Sequence, residues 1–139
     1  MSPHFTYEEL TFSQTALRKR IDNTPNDEAR DNLHTLAYGL EEVRALLGAP
    51  MNISSGYRSP KLNAAVGGAK HSAHMKGLAA DFIAPRFGTP AGIVAEIKAS
   101  SINFDQCIVE FGRWVHFAVP PAGEKGRRQA FAIGSTAHA

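Results

Sequence analysis

Between Asp27 and Gly48 apolar side chains recur at Ala29, Leu33, Leu36, Ala37, Leu40, Val43 and Leu47. Steps of three and four residues put them on one stripe, which predicts a long amphipathic helix from Asn26 or Asp27, stopped by Gly48 and Pro50. Ahead of it, Glu8–Arg20 has room for a short helix or turn, and Asp22-Asn23-Thr24-Pro25-Asn26 reads as a loop. Met51–Ile53 is short and strand-like. From Ser54 to Gly77 the pattern dissolves, broken by Gly56, Pro60, Gly67, Gly68 and Gly77; a long irregular stretch inside a compact domain is usually functional or disordered. Order returns with a buried strand at Leu78–Ile83. A second helix opens on Thr89-Pro90, carries Ile93, Val94 and Ile97 on one face and ends near Ser100. Two strands follow, Phe104–Val109 and Trp114–Val119, joined by Phe111-Gly112-Arg113. After Pro120-Pro121 the chain turns Gly-, Arg- and Ala-rich and reads as a surface-hugging tail. These elements predict an α+β protein, N-terminal helices packed on a small, mostly antiparallel sheet. It is expected to form a single domain over 1–139, with its core at about 5–119 and a C-terminal tail at 120–139.

Composition narrows the function classes. The chain has 139 residues, 43% hydrophobic and 20% charged, enough to bury one core. A net charge of +2 and the lack of an aromatic–basic platform or recognition helix give no reason to expect a nucleic-acid partner. The basic cluster Arg113, Lys125, Arg127 and Arg128 reads as solvated surface. No apolar run of about 18 residues suggests a membrane span. The start of the chain lacks a basic stretch followed by an apolar one, so synthesis in the cytoplasm without an ordinary secretory signal is expected. With one cysteine, Cys107, there is no disulfide framework and no multi-cysteine zinc site. A metal would have to be held by His and carboxylate.

Two segments carry such groups. Ser72-Ala73-His74-Met75-Lys76-Gly77-Leu78-Ala79-Ala80-Asp81 sets His and Asp seven residues apart. Gly77 argues against one helix, so a turn is expected to bring His74 beside the strand of Asp81. Ala79, Asp81 and Ile83 would point one way there and Leu78, Ala80 and Phe82 the other. An aspartate between Ala80 and Phe82 is costly to bury without a cation or hydrogen-bond donors. The second segment is Val109-Glu110-Phe111-Gly112-Arg113-Trp114-Val115-His116. A three-residue loop would pair Glu110 with Trp114 and Ile108 with His116, so that Glu110, Trp114 and His116 share a face. A two-residue loop would put Glu110 and His116 on opposite faces. Such three-residue loops usually need a left-handed residue near their end, and Arg113 stands there.

Taken singly, each residue has an ordinary structural use: an aspartate capping a turn, a core histidine, a strand-end glutamate in solvent. Together they have a chemical one. Two His and an Asp make a three-ligand zinc set with a fourth position open to water. A nearby non-ligand glutamate can move the proton of that water to a leaving amine.

Ser55-Gly56-Tyr57-Arg58-Ser59-Pro60, Asn63, Val66-Gly67-Gly68, Ser72-x-His74-x-x-Gly77-x-Ala79-x-Asp81, and Glu110 with Trp114-x-His116 resemble one family. It is the zinc D-Ala-D-Ala carboxypeptidase-like peptidases, which include phage and prophage L-alanyl-D-glutamate endopeptidases and share a fold with the Hedgehog signalling domain. The resemblance spans roughly Phe5 to Val119. It implies one zinc per chain on His74, Asp81 and His116, with Glu110 as the base, six residues before the last ligand as in Hedgehog-like members; many relatives use three. It implies that Arg58 faces the substrate and holds a carboxylate or the developing oxyanion. Ser72 either orients the ligand loop or hydrogen-bonds the substrate, and Trp114 walls the pocket. His71 reads as an exposed loop histidine, and Tyr57 and Asn63 as loop-packing and turn-capping residues. The implied activity is hydrolysis of peptidoglycan stem peptides by a monomer acting in the periplasm or on the wall after phage-type release. A non-hydrolytic, metal-stabilised module binding cell wall or protein is the other reading, and Glu110 discriminates, since a binding module needs no general base.

Overall fold

Side-chain caps set where the helices begin. The computed structural model, which describes residues 1–134, opens with α1 (Tyr7–Thr11) and α2 (Gln14–Lys19), whose first N–H groups donate to Thr6 and Ser13. The apolar stripe forms α3 (Asp27–Leu47), capped by Asn26 and closed by Gly48 in the left-handed region. Strand β1 (Asn52–Ser55) follows, then α4 (Pro60–Ala65), a 3-10 helix at Ala73–Lys76, β2 (Ala79–Ile83), α5 (Pro90–Ala99), β3 (Gln106–Glu110), β4 (Trp114–Ala118) and β5 (Gln129–Ile133). The strands make one sheet in the order β1-β2-β4-β3-β5, antiparallel except for the β3–β5 pair. The α+β class and mostly antiparallel sheet expected from the sequence are what the chain folds into.

Strand parity gives this sheet two unlike faces. Ala80 and Phe82 of β2 lie opposite Phe117 and Val115 of β4, which in turn face Cys107 and Val109 of β3. These side chains pack with Leu33, Leu36, Leu40 and Val43 of α3 and with Ile93 and Ile97 of α5 to form the core. At Gly39 a Cβ would lie 2.7 Å from Val119, so the small residue lets α3 approach the sheet end closely. The alternate residues, Asp81, His116, Trp114, Ile108 and Glu110, occupy the opposite face. The chain between β1 and β2 covers that face.

Two stretches differ from the sequence reading. Within the irregular 54–77 segment lie α4 and the 3-10 helix, four to six residues each, too short to show a period; their signals are the caps Ser59 (with Pro60 at the first turn) and Ser72. In the expected tail, residues 129–133 form β5, a parallel edge strand with four of its five residues exposed; its short apolar run 130–133 reads, with the Gly-, Arg- and Ala-rich stretch around it, as tail. Residues 135–139 lie outside the described residues. The basic residues leading into β5 are engaged: Arg127 pairs with Asp105 at 2.8 Å, and Arg128 donates to the carbonyls of Ile102, Lys98 and Ser100 while stacking 4.5 Å over Phe104.

Candidate metal centre

His74 is delivered by the 3-10 helix, not by a long helix face. Ser72 Oγ accepts the His74 backbone N–H at 3.1 Å and starts the turn. Gly77, at φ 75°, ends it. That end is seated on α3: a Cβ at Gly77 would lie 2.5 Å from the Ala29 carbonyl oxygen, and Asn32 Nδ2 donates to the Lys76 carbonyl at 2.9 Å. Asp81 and His116 are direct cross-strand partners on β2 and β4. All three are buried, with 3%, 4% and 8% exposure.

Asp81 Oδ1 lies 3.2 Å from His74 Nε2 and 3.1 Å from His116 Nδ1, and the three ligand atoms fall within 4.8 Å of one another. The donor set has a specific imbalance. His74 Nδ1 sits 2.7 Å from the Gly56 carbonyl, which can only accept, so Nδ1 carries the proton. A neutral His74 then points the lone pair of Nε2 at a carboxylate oxygen, and the contact needs a second proton or a cation between them. Two ligands about 2.0–2.2 Å from a tetrahedral zinc lie about 3.3–3.6 Å apart, a few tenths of an ångström beyond the two separations found. The residues fit a metal ion. Burial pushes the Asp81 carboxyl upward, but hydrogen bonding and charge from His116 and His74 outweigh it and hold the group well below the usual carboxylate range.

Arg58 closes the far side. Its Nη2 is 3.5 Å from Asp81 Oδ2, Nε–H donates to Ser55 Oγ at 3.2 Å, and Nη1–H donates to Asn63 Oδ1 at 3.1 Å. Asn63, buried, also donates to the Ala69 carbonyl. A Cβ on Gly68 would lie 2.0 Å from Asn63 Oδ1, so the glycine makes room for this brace. These contacts occupy three of the five guanidinium N–H groups. Among the described residues the remaining two make no hydrogen bond.

The β3–β4 hairpin has the three-residue geometry: Glu110 pairs with Trp114 and Ile108 with His116. Its left-handed residues are Phe111 (φ 57°) and Gly112 (φ 65°) rather than Arg113, whose N–H returns to the Glu110 carbonyl at 3.0 Å. Glu110 is therefore a diagonal neighbour of His116, about 7–8 Å away by Cα, with Trp114 Nε1–H donating to its Oε1 at 2.8 Å. A cleft of about 630 Å³ joins Arg58, Ser72, His74, His116, Glu110 and Trp114. His71 is exposed on its rim, and Tyr57, in the loop after β1, packs into the core.

Sequence reasoning passed over two contributors. Gly56 supplies the carbonyl that fixes the His74 tautomer, and a Cβ there would lie 2.2 Å from the Leu10 carbonyl oxygen. Ile133, at the end of β5, lines the cleft. The Gly56 signal is a glycine just after a strand, visible in the sequence but mute about what its carbonyl holds. Residues 3–118 match the family model described as Peptidase M15. No curated protein matches the chain.

Proposed function

Because the chain belongs to the peptidase M15 family, a family of metallopeptidases, we propose that it hydrolyses peptide bonds in peptidoglycan stem peptides, as a monomer acting on the cell wall. His74, Asp81 and His116 hold one zinc ion in this reading. The observation that carries it is the shared face: Glu110, not a member of the His–Asp–His cluster, stands diagonal to His116 in the same cleft.

When bound, zinc supplies Lewis acidity, which acidifies water towards neutrality and polarises a carbonyl oxygen. The protein does the rest. Arg58, braced by Ser55 and Asn63, turns its two free N–H groups to a substrate carboxylate or to the oxyanion that develops on the scissile carbonyl. Ser72 spends its lone pair on the His74 N–H and keeps its own proton for the substrate. Trp114 walls the cleft. The Glu110 carboxylate takes a proton from the attacking water as the new C–O bond forms, then gives it to the amine nitrogen as the C–N bond breaks. A non-hydrolytic binding module would leave Glu110 without a task.

The test is digestion of purified peptidoglycan, followed by amine release and mass spectrometry. We expect amine release that a chelator abolishes and zinc restores, with about one zinc per chain by metal analysis. A single terminal amino acid among the products identifies a carboxypeptidase, and paired internal fragments an endopeptidase. Glu110→Gln should lower turnover by roughly 10²–10⁴ with zinc content unchanged. Undiminished hydrolysis by that variant would remove Glu110 as the base.

A further inference from the structure

We propose that Trp114 is a positioning residue for the Glu110 carboxylate, and that β5 holds Trp114 in place through Phe111. The inference rests on Glu110 being the base. Its observations are independent of the metal.

A glutamate side chain at the mouth of a cleft has three rotatable bonds and does not stay in one orientation unless something holds it. Here the indole N–H of Trp114 donates to Oε1 at 2.8 Å, the one hydrogen bond to this carboxylate among the described residues. An indole has a single donor and no acceptor. It therefore ties down Oε1 and leaves Oε2, with both lone pairs open, as the better placed oxygen to take a proton. The two residues are also direct cross-strand partners, so the hairpin register brings the indole to the carboxylate.

The indole is held in turn. The Phe111 ring lies against it, centroids 5.4 Å apart and tilted by 51°. Phe111 sits at φ 57°, a conformation that a bulky residue keeps only when its surroundings impose it. Two contacts, from the end of β5 and the residue after it, impose it. The Phe111 N–H donates to the Ile133 carbonyl at 3.0 Å. The Phe111 ring also lies over Gly134, so closely that a Cβ there would be 2.1 Å from Phe111 Cδ1. Ile133 is the register partner of Glu110 in the parallel β3–β5 ladder. The order of support is thus Gly134 and Ile133, Phe111, Trp114, Glu110. Its outer members lie beyond residues 3–118, the stretch matched by the family model: the C-terminal strand reaches back to set the base.

Trp114 is the chain's one tryptophan, so nitrogen-15-labelled full-length protein gives a single indole N–H resonance, readable without substrate. Glu110→Ala should move that resonance clearly, and Gly134→Ala, which drives a methyl into the Phe111 ring, should move or broaden it. In the amine-release assay Trp114→Phe keeps an aromatic ring and loses the N–H. It should lower kcat by roughly ten- to a hundredfold, the loss of one hydrogen bond to a charged group, with KM within about twofold and zinc content unchanged. Gly134→Ala should lower kcat in the same sense. An indole resonance indifferent to Glu110→Ala overturns the contact. A Trp114→Phe variant with full kcat, or with only KM raised, makes Trp114 a pocket wall and overturns the positioning role. A Gly134→Ala protein unchanged in both readouts overturns the part assigned to β5. Wild-type protein that releases no amine would defeat the peptidase reading instead, and the resonance would still decide the contact.

Discussion

Burial and partner choice separate the reactive side chains of this chain from the inert ones. Cys107 lies on the core face of β3, fully buried, and burial alone pushes its thiol up to about 12. The thiolate is the nucleophile, so at pH 8 the native protein should resist iodoacetamide and take up one label per chain only after denaturation. Mass spectrometry reads the count; rapid labelling of folded protein would contradict the packing. Asp81 shows the opposite balance. Equally buried, it is held below the usual carboxylate range by hydrogen bonding and charge from His116 and His74, which outweigh its burial. The motif spacing picked out this aspartate, yet the lone-pair conflict at His74 Nε2 that calls for a cation depends on the Gly56 carbonyl, 18 residues away.

Short elements matter more here than long ones. The 21-residue α3 is plain in the sequence because its stripe repeats over several turns. The 3-10 helix that carries His74 has four residues and no period to read. Its placement depends on close approaches that only glycine permits. At Gly56 an added methyl would meet the Leu10 backbone, which cannot swing aside as a side chain can. We therefore expect Gly56→Ala to cost about 1–3 kcal/mol, read as a lower Tm, and to weaken zinc binding by shifting the acceptor of His74 Nδ1–H. A variant as stable as wild type would show that β1 and α1 have slack. The hairpin teaches a related lesson. The parity argument for a three-residue loop put Glu110 and His116 on one face, as found, while the strain fell on Phe111 because β5, which reads in the sequence as tail, holds that residue.

Across the whole molecule, α3, α5 and the core lie on one side of the central strands and the cleft on the other, under α4 and the 3-10 helix. Three buried polar groups converge there, and a bound cation should stabilise the fold. At a metal concentration 100 times Kd the gain is about 2.7 kcal/mol, roughly 10 °C in Tm for a chain of this size. Melting with zinc and after chelation should show it, and Asp81→Asn should abolish most of the difference. Equal melting temperatures would argue against a site in the folded state. The sequence by itself determined the long helix and the two-faced central strands and singled out His74, Asp81, Glu110 and His116 as candidates, because periodicity and motif spacing are local properties of a chain. Tertiary structure alone decided that β5 joins the sheet beside β3, that Gly56 fixes a tautomer, that Asn63 braces Arg58 and that Trp114 meets Glu110. Those contacts join residues whose sequence separation carries no pattern, or whose meeting depends on a register that only the assembled sheet enforces.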